Sequence, residues 1–249
     1  MTGAGRGIGA AIARALAEEG ARVALAARTL GEVEGAAAAL RAKGAAAWAL
    51  RCDVTDEEEV RRTGREARER LGQVDILVNN AGQSASAPLR RIALEDWNRM
   101  LAVNATGTFL CTREFLPDMT ARGWGRVVNI ASVSGLEGAR YIAHYCAAKH
   151  AVVGFTRAVA AEAAGTGVTV NAICPGYVDT SMTERTLENV ESRTGMSRGK
   201  ALEAVLETAG QSRLLTADEV AAEVVSLCRE AANERNGEAV LLRGAESRA

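Results

Sequence analysis

Two residues with acid–base and charge chemistry lie one helical turn apart in the segment Tyr145-Cys146-Ala147-Ala148-Lys149. A spacing of four places both side chains on one face of a helix. Because the chain has only three tyrosines and three lysines, such a pair arises by chance about 0.04 times per chain of this composition. A tyrosine with the ordinary pKa of about 10 exchanges protons poorly at neutral pH, and a neighbouring ammonium favours its phenolate. The pair is therefore a candidate acid–base centre.

Polar residues end two of the apolar runs that are predicted to be strands. The segment Asn129-Ile130-Ala131-Ser132 places Ser132 13 residues before Tyr145, and Asn79-Asn80-Ala81-Gly82 closes an earlier run. A doubly wound parallel sheet binds ligands at the carboxyl ends of its strands. We therefore expect these residues to lie beside the tyrosine. Ser134, 11 residues before Tyr145, is the alternative to Ser132.

The chain opens on a glycine-rich segment, Thr2-Gly3-Ala4-Gly5-Arg6-Gly7-Ile8-Gly9, that leads into a predicted helix. Such glycines let the backbone approach a pyrophosphate, and the helix N-terminus offers N–H groups and partial positive charge. In many folds a similar turn only separates elements. Arg28 ends the next predicted strand, where NAD-binding folds place an acid, and an arginine in this region suits a 2′-phosphate. Arg6 and Arg28 therefore favour NADP(H), although Arg28 is also readable as a solvated loop residue.

Short apolar runs alternate with amphipathic stretches along the chain, which predicts an α/β fold with a doubly wound parallel sheet of the Rossmann type and helices on both faces. The predicted strands are 21–27, 45–50, 74–79, 126–130, 168–173 and 238–242. The predicted helices are 7–19, 30–43, 56–71, 94–120, 141–164 and 217–231. Asp56 and Thr216 are expected helix N-caps.

Composition excludes several classes of protein. Of the 249 residues 48% are apolar and 24% charged, and the formal net charge is −1, so no overall positive field attracts nucleic acid or an anionic membrane. No apolar stretch approaches the roughly 18 residues of a membrane span. Five cysteines without metal-ligand spacing and only two histidines argue against a metal site and favour a reducing compartment. We predict a cytoplasmic protein.

We predict a single dinucleotide-binding catalytic domain over residues 1–249. The polar, helix-prone segment 179–212 is too long for a structureless loop in a compact domain, so we expect a mobile helical lid over a binding site. A central first strand would normally precede the glycine-rich segment, and only Met1 stands there. This predicts that the natural protein begins several residues upstream with an apolar segment.

Taken together with Pro175-Gly176 after the 168–173 run, these motifs resemble the short-chain dehydrogenase/reductase family, and most closely its 3-oxoacyl-thioester (ketoacyl) reductases. The resemblance extends in the expected order from Thr2 to about Leu242. It implies a catalytic tetrad of Asn104, Ser132, Tyr145 and Lys149. In this tetrad Tyr145 is the acid/base, Ser132 bonds the substrate oxygen, and Asn104 supports a water that links Lys149 to solvent.

The resemblance also assigns the cofactor site. Its implied members are Thr2, Gly3, Gly5, Arg6, Gly7, Ile8, Gly9, Arg28, Asp53, Val54, Asn80, Ala81, Gly82, Tyr145, Lys149, Pro175, Gly176, Val178 and Thr180. Asp53 and Val54 would contact adenine. Lys149 would hold the nicotinamide ribose and lower the pKa of Tyr145. Tyr141, expected on the same helix face as Tyr145, would contact substrate or simply pack.

The implied activity is NADPH-preferring hydride transfer between nicotinamide and a carbonyl or secondary alcohol, with 3-oxoacyl thioesters as the first substrate class. Two alternatives stay open: a dehydrogenase of a polyol, sugar, steroid or small ketone, and a non-catalytic dinucleotide-sensing or scaffold protein. The family also implies a homo-oligomer, a tetramer or dimer. Arg243, where an acidic residue commonly precedes the glycine, weakens the expected C-terminal tetramer contact.

Overall fold

The computed structural model describes residues 1–245 and confirms the α/β class. Within these residues all strand pairs are parallel, and the strands are β1 (Val23–Ala27), β2 (Ala47–Arg51), β3 (Ile76–Asn79), β4 (Gly125–Ile130), β5 (Val168–Pro175) and β6 (Ala239–Leu242). The strands β1 and β2 form one pair, and β3, β4, β5 and β6 form a second sheet in that order.

A slot separates β1 from β3. At one end of the slot the Thr2 N–H donates to the Val78 carbonyl (3.0 Å), and the Met1 carbonyl accepts from the Ala26 N–H (2.9 Å). Behind these two residues lies a cavity of about 320 Å³, lined by largely apolar side chains such as Leu77 and Phe115. The two parts of the sheet are thus joined near the carboxyl ends of β1 and β3.

Helices cover both sides of the strands, as predicted. They are α1 (Gly7–Glu18), α2 (Leu30–Ala42), α3 (Glu57–Leu71), α4 (Leu94–Leu101), α5 (Gly107–Arg122), α6 (Ala143–Glu162), α7 (Ser181–Thr194), α8 (Arg198–Thr208) and α9 (Ala217–Cys228). One apolar core joins α1, α2 and α9 through Ile12, Val33 and Val224. A second joins α3 and α5 through Val60 and Met119.

Helix starts follow the predicted caps. The Asp56 carboxylate accepts from the backbone N–H groups of Glu58 and Glu59 at 2.9 and 3.1 Å. Thr216 and Glu219 form a reciprocal capping box at the start of α9. The segment predicted as a lid is helical, and α7 packs on α8 through Leu187, Ala201 and Val205. Its mobility stays a prediction.

Two details of the predicted helices are wrong. The helix predicted over 94–120 is divided by a π-helical turn, Ala102–Thr106. Within this turn the Asn104 side chain bonds a carbonyl four residues back, because its Nδ2 donates to the Met100 carbonyl at 3.0 Å. The helix predicted from 141 begins at Ala143. Tyr141 lies before it in a left-handed conformation (φ 67°) and is 61% exposed, so it does not share the helix face of Tyr145.

Candidate active site

A cleft of about 340 Å³ opens at the carboxyl ends of β4 and β5. Ser132 lies just beyond β4, and Tyr145 lies on the first turn of α6; both line the cleft. The Ser132 hydroxyl lies near enough to the Tyr145 phenol to lower the pKa of that phenol. Ser134 also lines the cleft, but its backbone N–H donates to Ser132 Oγ (3.1 Å). Ser132, and not Ser134, is therefore the serine whose side chain acts on the tyrosine.

Lys149 lies one turn beyond Tyr145 and is buried. Its Nζ donates to the Ile130 carbonyl at 2.9 Å and lies 5.8 Å from the centre of the Tyr145 ring. Burial lowers the pKa of Lys149 to about 8. Burial raises the pKa of Tyr145 to about 12, and the nearby Ser132 hydroxyl only partly opposes this. The expected lowering of the Tyr145 pKa is thus outweighed by desolvation, and the phenol stays protonated at neutral pH.

Asn104, the buried centre of the π-helical turn, reaches toward the same region. Its Nδ2 donates to the carbonyls of Gln83 and Met100, both at 3.0 Å. A Cβ atom at Gly82 would lie 2.9 Å from Asn104 Oδ1 and 3.5 Å from Lys149 Nζ. Asn104, Gly82 and Lys149 are therefore neighbours, and only glycine fits between the two polar groups.

The glycine-rich segment is held against the loop after β3. Thr2 Oγ1 accepts from the N–H groups of Asn80 and Ala81, both at 3.1 Å. Asn80 Nδ2 donates to the carbonyls of Thr2 (3.1 Å) and Gly3 (2.8 Å). Gly3 has a φ of 62°, and a Cβ atom there would lie 2.8 Å from the Ala81 Cα. These contacts fix the loop at the carboxyl end of the sheet.

The start of α1 faces the segment that leads into α7. Arg6 is the N-cap of α1 and its side chain accepts no hydrogen bond from the helix. A Cβ atom at Gly9 would lie 2.1 Å from the Gly3 carbonyl oxygen, and one at Gly7, 3.4 Å from Thr180 Cγ2. The open helix terminus, the glycine backbone and Thr180 thus border one another, and Ile8 lines the cleft.

The two arginines predicted to meet a 2′-phosphate differ in their surroundings. Arg6 forms an exposed ion pair with Glu32 at 2.9 Å, and Glu32 also lies directly against Gly5. In the described part of the chain, no carboxylate oxygen lies within 4.0 Å of the Arg28 guanidinium. Glu32 is not singled out by the sequence, because an acidic residue is expected only at the end of the predicted strand, where Arg28 lies. The two arginines do not converge as they stand.

Asp53 and Val54 follow β2 directly. Burial alone would raise the pKa of Asp53, but hydrogen bonds from Thr55 and the charges of Arg28 and Arg51 hold that pKa below its usual range. The Asp53 N–H donates to Glu59 Oε2 at 2.8 Å. Val54 is buried and would meet a Cβ atom at Gly107 at 2.7 Å. Asp53 therefore remains ionised close to Arg28.

The segment after β5 is fixed by a side chain that the sequence did not single out. Gln211 Oε1 accepts from the Tyr177 N–H at 2.6 Å, and its Nε2 donates to the Tyr177 carbonyl at 3.2 Å. A Cβ atom at Gly176 would lie 2.1 Å from Gln211 Oε1. Pro175, Gly176, Val178 and Thr180 all line the cleft. Gln211 belongs to no motif, and only the folded chain brings it to this segment.

Comparison with known proteins identifies the family of the chain. The family model for short chain dehydrogenases matches residues 1–191. A 3-oxoacyl-(acyl-carrier-protein) reductase of Synechocystis sp. is 39% identical, covering 89% of this chain and 90% of the relative. A D-beta-hydroxybutyrate dehydrogenase of Cupriavidus necator is 38% identical, covering 95% and 92%.

A solved structure has the same architecture. A variant of the actinorhodin polyketide ketoreductase, crystallised with NADPH, superposes with a TM-score of 0.92 at 38% identity, covering 98% of this chain and 94% of that one. The chain belongs to the short-chain dehydrogenase family, which confirms the resemblance found in the sequence. It is an oxidoreductase of that family, similar to ketoacyl reductases.

Among residues 1–245, no helix has the length and apolar character needed to cross a membrane. The same residues contain no group of three or more His, Cys, Asp or Glu side chains arranged to hold a metal ion.

Proposed function

We propose that this protein is an NADPH-preferring carbonyl reductase that acts on 3-oxoacyl compounds. The observation that carries the proposal is that Ser132 and Tyr145 line the same cleft, with Lys149 buried one helical turn beyond the tyrosine. The names of the relatives, which include a 3-oxoacyl reductase, support the substrate class.

The glycine-rich loop fits a dinucleotide. Side chains are excluded at Gly3 and Gly9 by close backbone contacts, and the N-terminus of α1 has no side-chain cap. Bare N–H groups at a helix start suit a pyrophosphate. Thr2, Gly3, Gly5, Gly7, Ile8 and Gly9 would hold it, and Asn80, Ala81 and Gly82 would flank the ribose. Pro175, Gly176, Val178 and Thr180 would hold the nicotinamide carboxamide.

NADPH preference rests on Arg28. Among the described residues no carboxylate lies within 4.0 Å of its guanidinium, and Asp53, whose pKa the Arg28 charge helps to lower, would contact adenine together with Val54. Arg6 would join Arg28 by leaving Glu32. Loss of the pair between Arg6 and Glu32 costs little free energy, because an exposed ion pair contributes only about 0.2–1 kcal/mol. A 2′-phosphate offers a charge-assisted bond in its place.

Side chains of the protein would bind and protonate the substrate oxygen. Bound NADPH supplies the hydride for the carbonyl carbon. Ser132 Oγ donates a hydrogen bond to the carbonyl oxygen, and the protonated Tyr145 gives its proton to the developing alkoxide. The charge of Lys149 stabilises the phenolate that remains. Asn104 would support a water through which Lys149 regains contact with solvent.

The experiment is a panel of reductions. NADPH and NADH oxidation are followed with 3-oxoacyl thioesters, diketones and simple ketones. We expect NADPH oxidation to be fastest with the 3-oxoacyl thioesters. A preference for a polyol, sugar or steroid in the reverse direction would contradict the substrate class, and no turnover with any carbonyl would contradict the enzyme assignment.

Two further properties belong to the proposal. All five cysteines are free and buried, which supports a reducing, cytoplasmic location. Large apolar side chains at Leu89 and Leu94 are 75% and 67% exposed, which supports a homo-oligomer. Light scattering during size-exclusion chromatography tests the oligomer, and a monomer mass would refute it.

A further inference from the structure

Helix α7 lines the same cleft as Ser132 and Tyr145. Its side chains there are those of Met182, Thr183, Arg185, Thr186 and Asn189. Among the residues that line the cleft, within the described range 1–245, Arg185 alone carries a charge. The remainder of the lining is apolar or neutral polar. A single cation at the mouth of an otherwise neutral cleft gives the cleft a preferred substrate charge.

Arg185 is not neutralised by its own helix. Over the described residues, no carboxylate oxygen lies within 4.0 Å of its guanidinium. Two acids of α7, Glu184 and Glu191, both bind Arg198 at the start of α8, the second at 3.1 Å. The contact between α7 and α8 therefore occupies these acids and leaves Arg185 to face the cleft.

A guanidinium presents a planar set of N–H donors that matches the two oxygens of a carboxylate or phosphate. We infer that Arg185 binds an oxyanion of the substrate while the reacting carbonyl lies at Ser132 and Tyr145. This inference rests on the proposed function, because that function places the carbonyl. It makes Arg185 a specificity-determining residue, and the preferred substrate an anionic 3-oxo compound.

Two substrates would supply such an oxyanion. One is a short 3-oxo acid, whose carboxylate is part of the reacting molecule. The other is a 3-oxoacyl thioester of 4′-phosphopantetheine, whose phosphate lies at the far end of its arm. The shared chemistry is the oxyanion, and matched neutral compounds separate the two sources.

The test compares wild type, Arg185→Ala and Arg185→Lys. The substrates are 3-oxobutanoate, its neutral methyl ester, the 3-oxobutanoyl thioester of phosphopantetheine, and the neutral thioester of N-acetylcysteamine. Arg193→Ala is the matched control, because Arg193 is an exposed arginine of the same helix that does not line the cleft.

We expect Arg185→Ala to raise KM by about 10- to 100-fold for one anionic substrate, since a bond to a charged group has roughly that effect. KM for the neutral partner compound and kcat should stay unchanged. Arg185→Lys should recover part of the loss, and Arg193→Ala should behave as wild type. A loss confined to 3-oxobutanoate identifies the carboxylate, and one confined to the phosphopantetheine thioester identifies the phosphate.

Calorimetric titration gives a readout that does not need turnover. 3-Hydroxybutanoate and 4′-phosphopantetheine are titrated into each variant, and we expect one of them to bind Arg185→Ala at least tenfold more weakly. The inference would be overturned if Arg185→Ala raised KM equally for the charged and the neutral substrates. Unchanged KM and Kd for both anions would also overturn it. If wild type reduces no 3-oxo compound while the anion still binds through Arg185, the proposed function fails and the anion site stands.

Discussion

Asn104 and Gln83 are joined by two reciprocal hydrogen bonds. Asn104 Nδ2 donates to the Gln83 carbonyl at 3.0 Å, and the Gln83 N–H donates to Asn104 Oδ1 at 3.3 Å. The pair ties the π-helical turn to the loop after β3. π-Bulges are rare and frequently occur at functional sites. Here the bulge aims one amide at the loop that borders Lys149.

Removal of that amide should therefore affect both folding and turnover. Asn104→Ala leaves two backbone groups of Gln83 without their partner, so we expect the unfolding free energy to fall by about 1–3 kcal/mol. We expect kcat to fall as well, with KM for NADPH little changed. Asn98→Ala, an exposed asparagine on α4, is the control. Chemical denaturation and steady-state kinetics measure both effects, and an Asn104→Ala protein as stable and active as the control would refute the role.

Burial of Lys149 predicts a particular pH dependence of stability. Its pKa is lowered by burial to about 8, whereas the unfolded chain has the ordinary value of 10.5. Between these values the unfolded state binds more protons, so the contribution of Lys149 to the unfolding free energy rises with pH. Relative to Lys149→Met, wild type should gain about 2 kcal/mol from pH 8 to pH 10.

The comparison of two proteins is needed because the buried thiols and Tyr145 have raised pKa values and act in the opposite direction. Those groups are shared by wild type and Lys149→Met, so they cancel in the difference. Denaturation midpoints measured in urea across this pH range give the result. A difference that stays flat, or that falls with pH, would show that Lys149 is not buried as a titrating cation.

Cofactor choice is predicted from Arg28. Arg28→Ala should lower kcat/KM for NADPH by about 10- to 100-fold and leave NADH unaffected, because each charge-assisted bond contributes about 1.5–3 kcal/mol. Arg65→Ala removes the same charge from an exposed position on α3 and serves as the control. Equal losses with both cofactors would mean that Arg28 only shapes its loop, and a wild-type preference for NADH would refute the assignment.

The cavity of about 320 Å³ between β1 and β3 predicts that added apolar atoms stabilise the protein. We expect five apolar residues fused before Met1 to fill the slot as a parallel strand. Each buried side chain contributes about 1.5–3 kcal/mol, against roughly 1–2 kcal/mol per residue for ordering the backbone. A net gain of about 3 kcal/mol would raise Tm by about 6–12 °C. A Gly-Ser extension of equal length is the control, and equal melting of the two proteins would show that the slot does not accept a strand.

The residues of the site that lie in regular elements could be predicted from the sequence. Tyr145 and Lys149 share a helix face by spacing, and the parallel sheet brings Ser132 at a strand end to them. The contacts of Glu32 and Gln211 could not be predicted, because each meets its partner only through the folded chain. The sequence likewise does not show which arginine of a helix faces a cleft.

Local conformation explains the remaining errors. The segment 94–120 is predicted as one helix because residues 102–106 have a helical composition. A π-helical turn has the same composition, although it shifts the helical register of the residues that follow. Tyr141 fits a helical pattern, yet its carbonyl accepts from the Ala87 N–H at 2.7 Å and its backbone is left-handed, which places it outside α6.

The central claim is that Tyr145 delivers the proton in an NADPH-dependent carbonyl reduction, and Tyr145→Phe tests it most directly. The change removes one hydroxyl group and keeps the ring. NADPH oxidation with the best 3-oxoacyl substrate of the panel is measured for both proteins, with NADPH affinity from fluorescence titration as the control. We predict unchanged NADPH binding and a kcat lowered by about 10²–10⁴-fold or more, the contribution of general acid catalysis. A kcat within a few-fold of wild type would contradict the account.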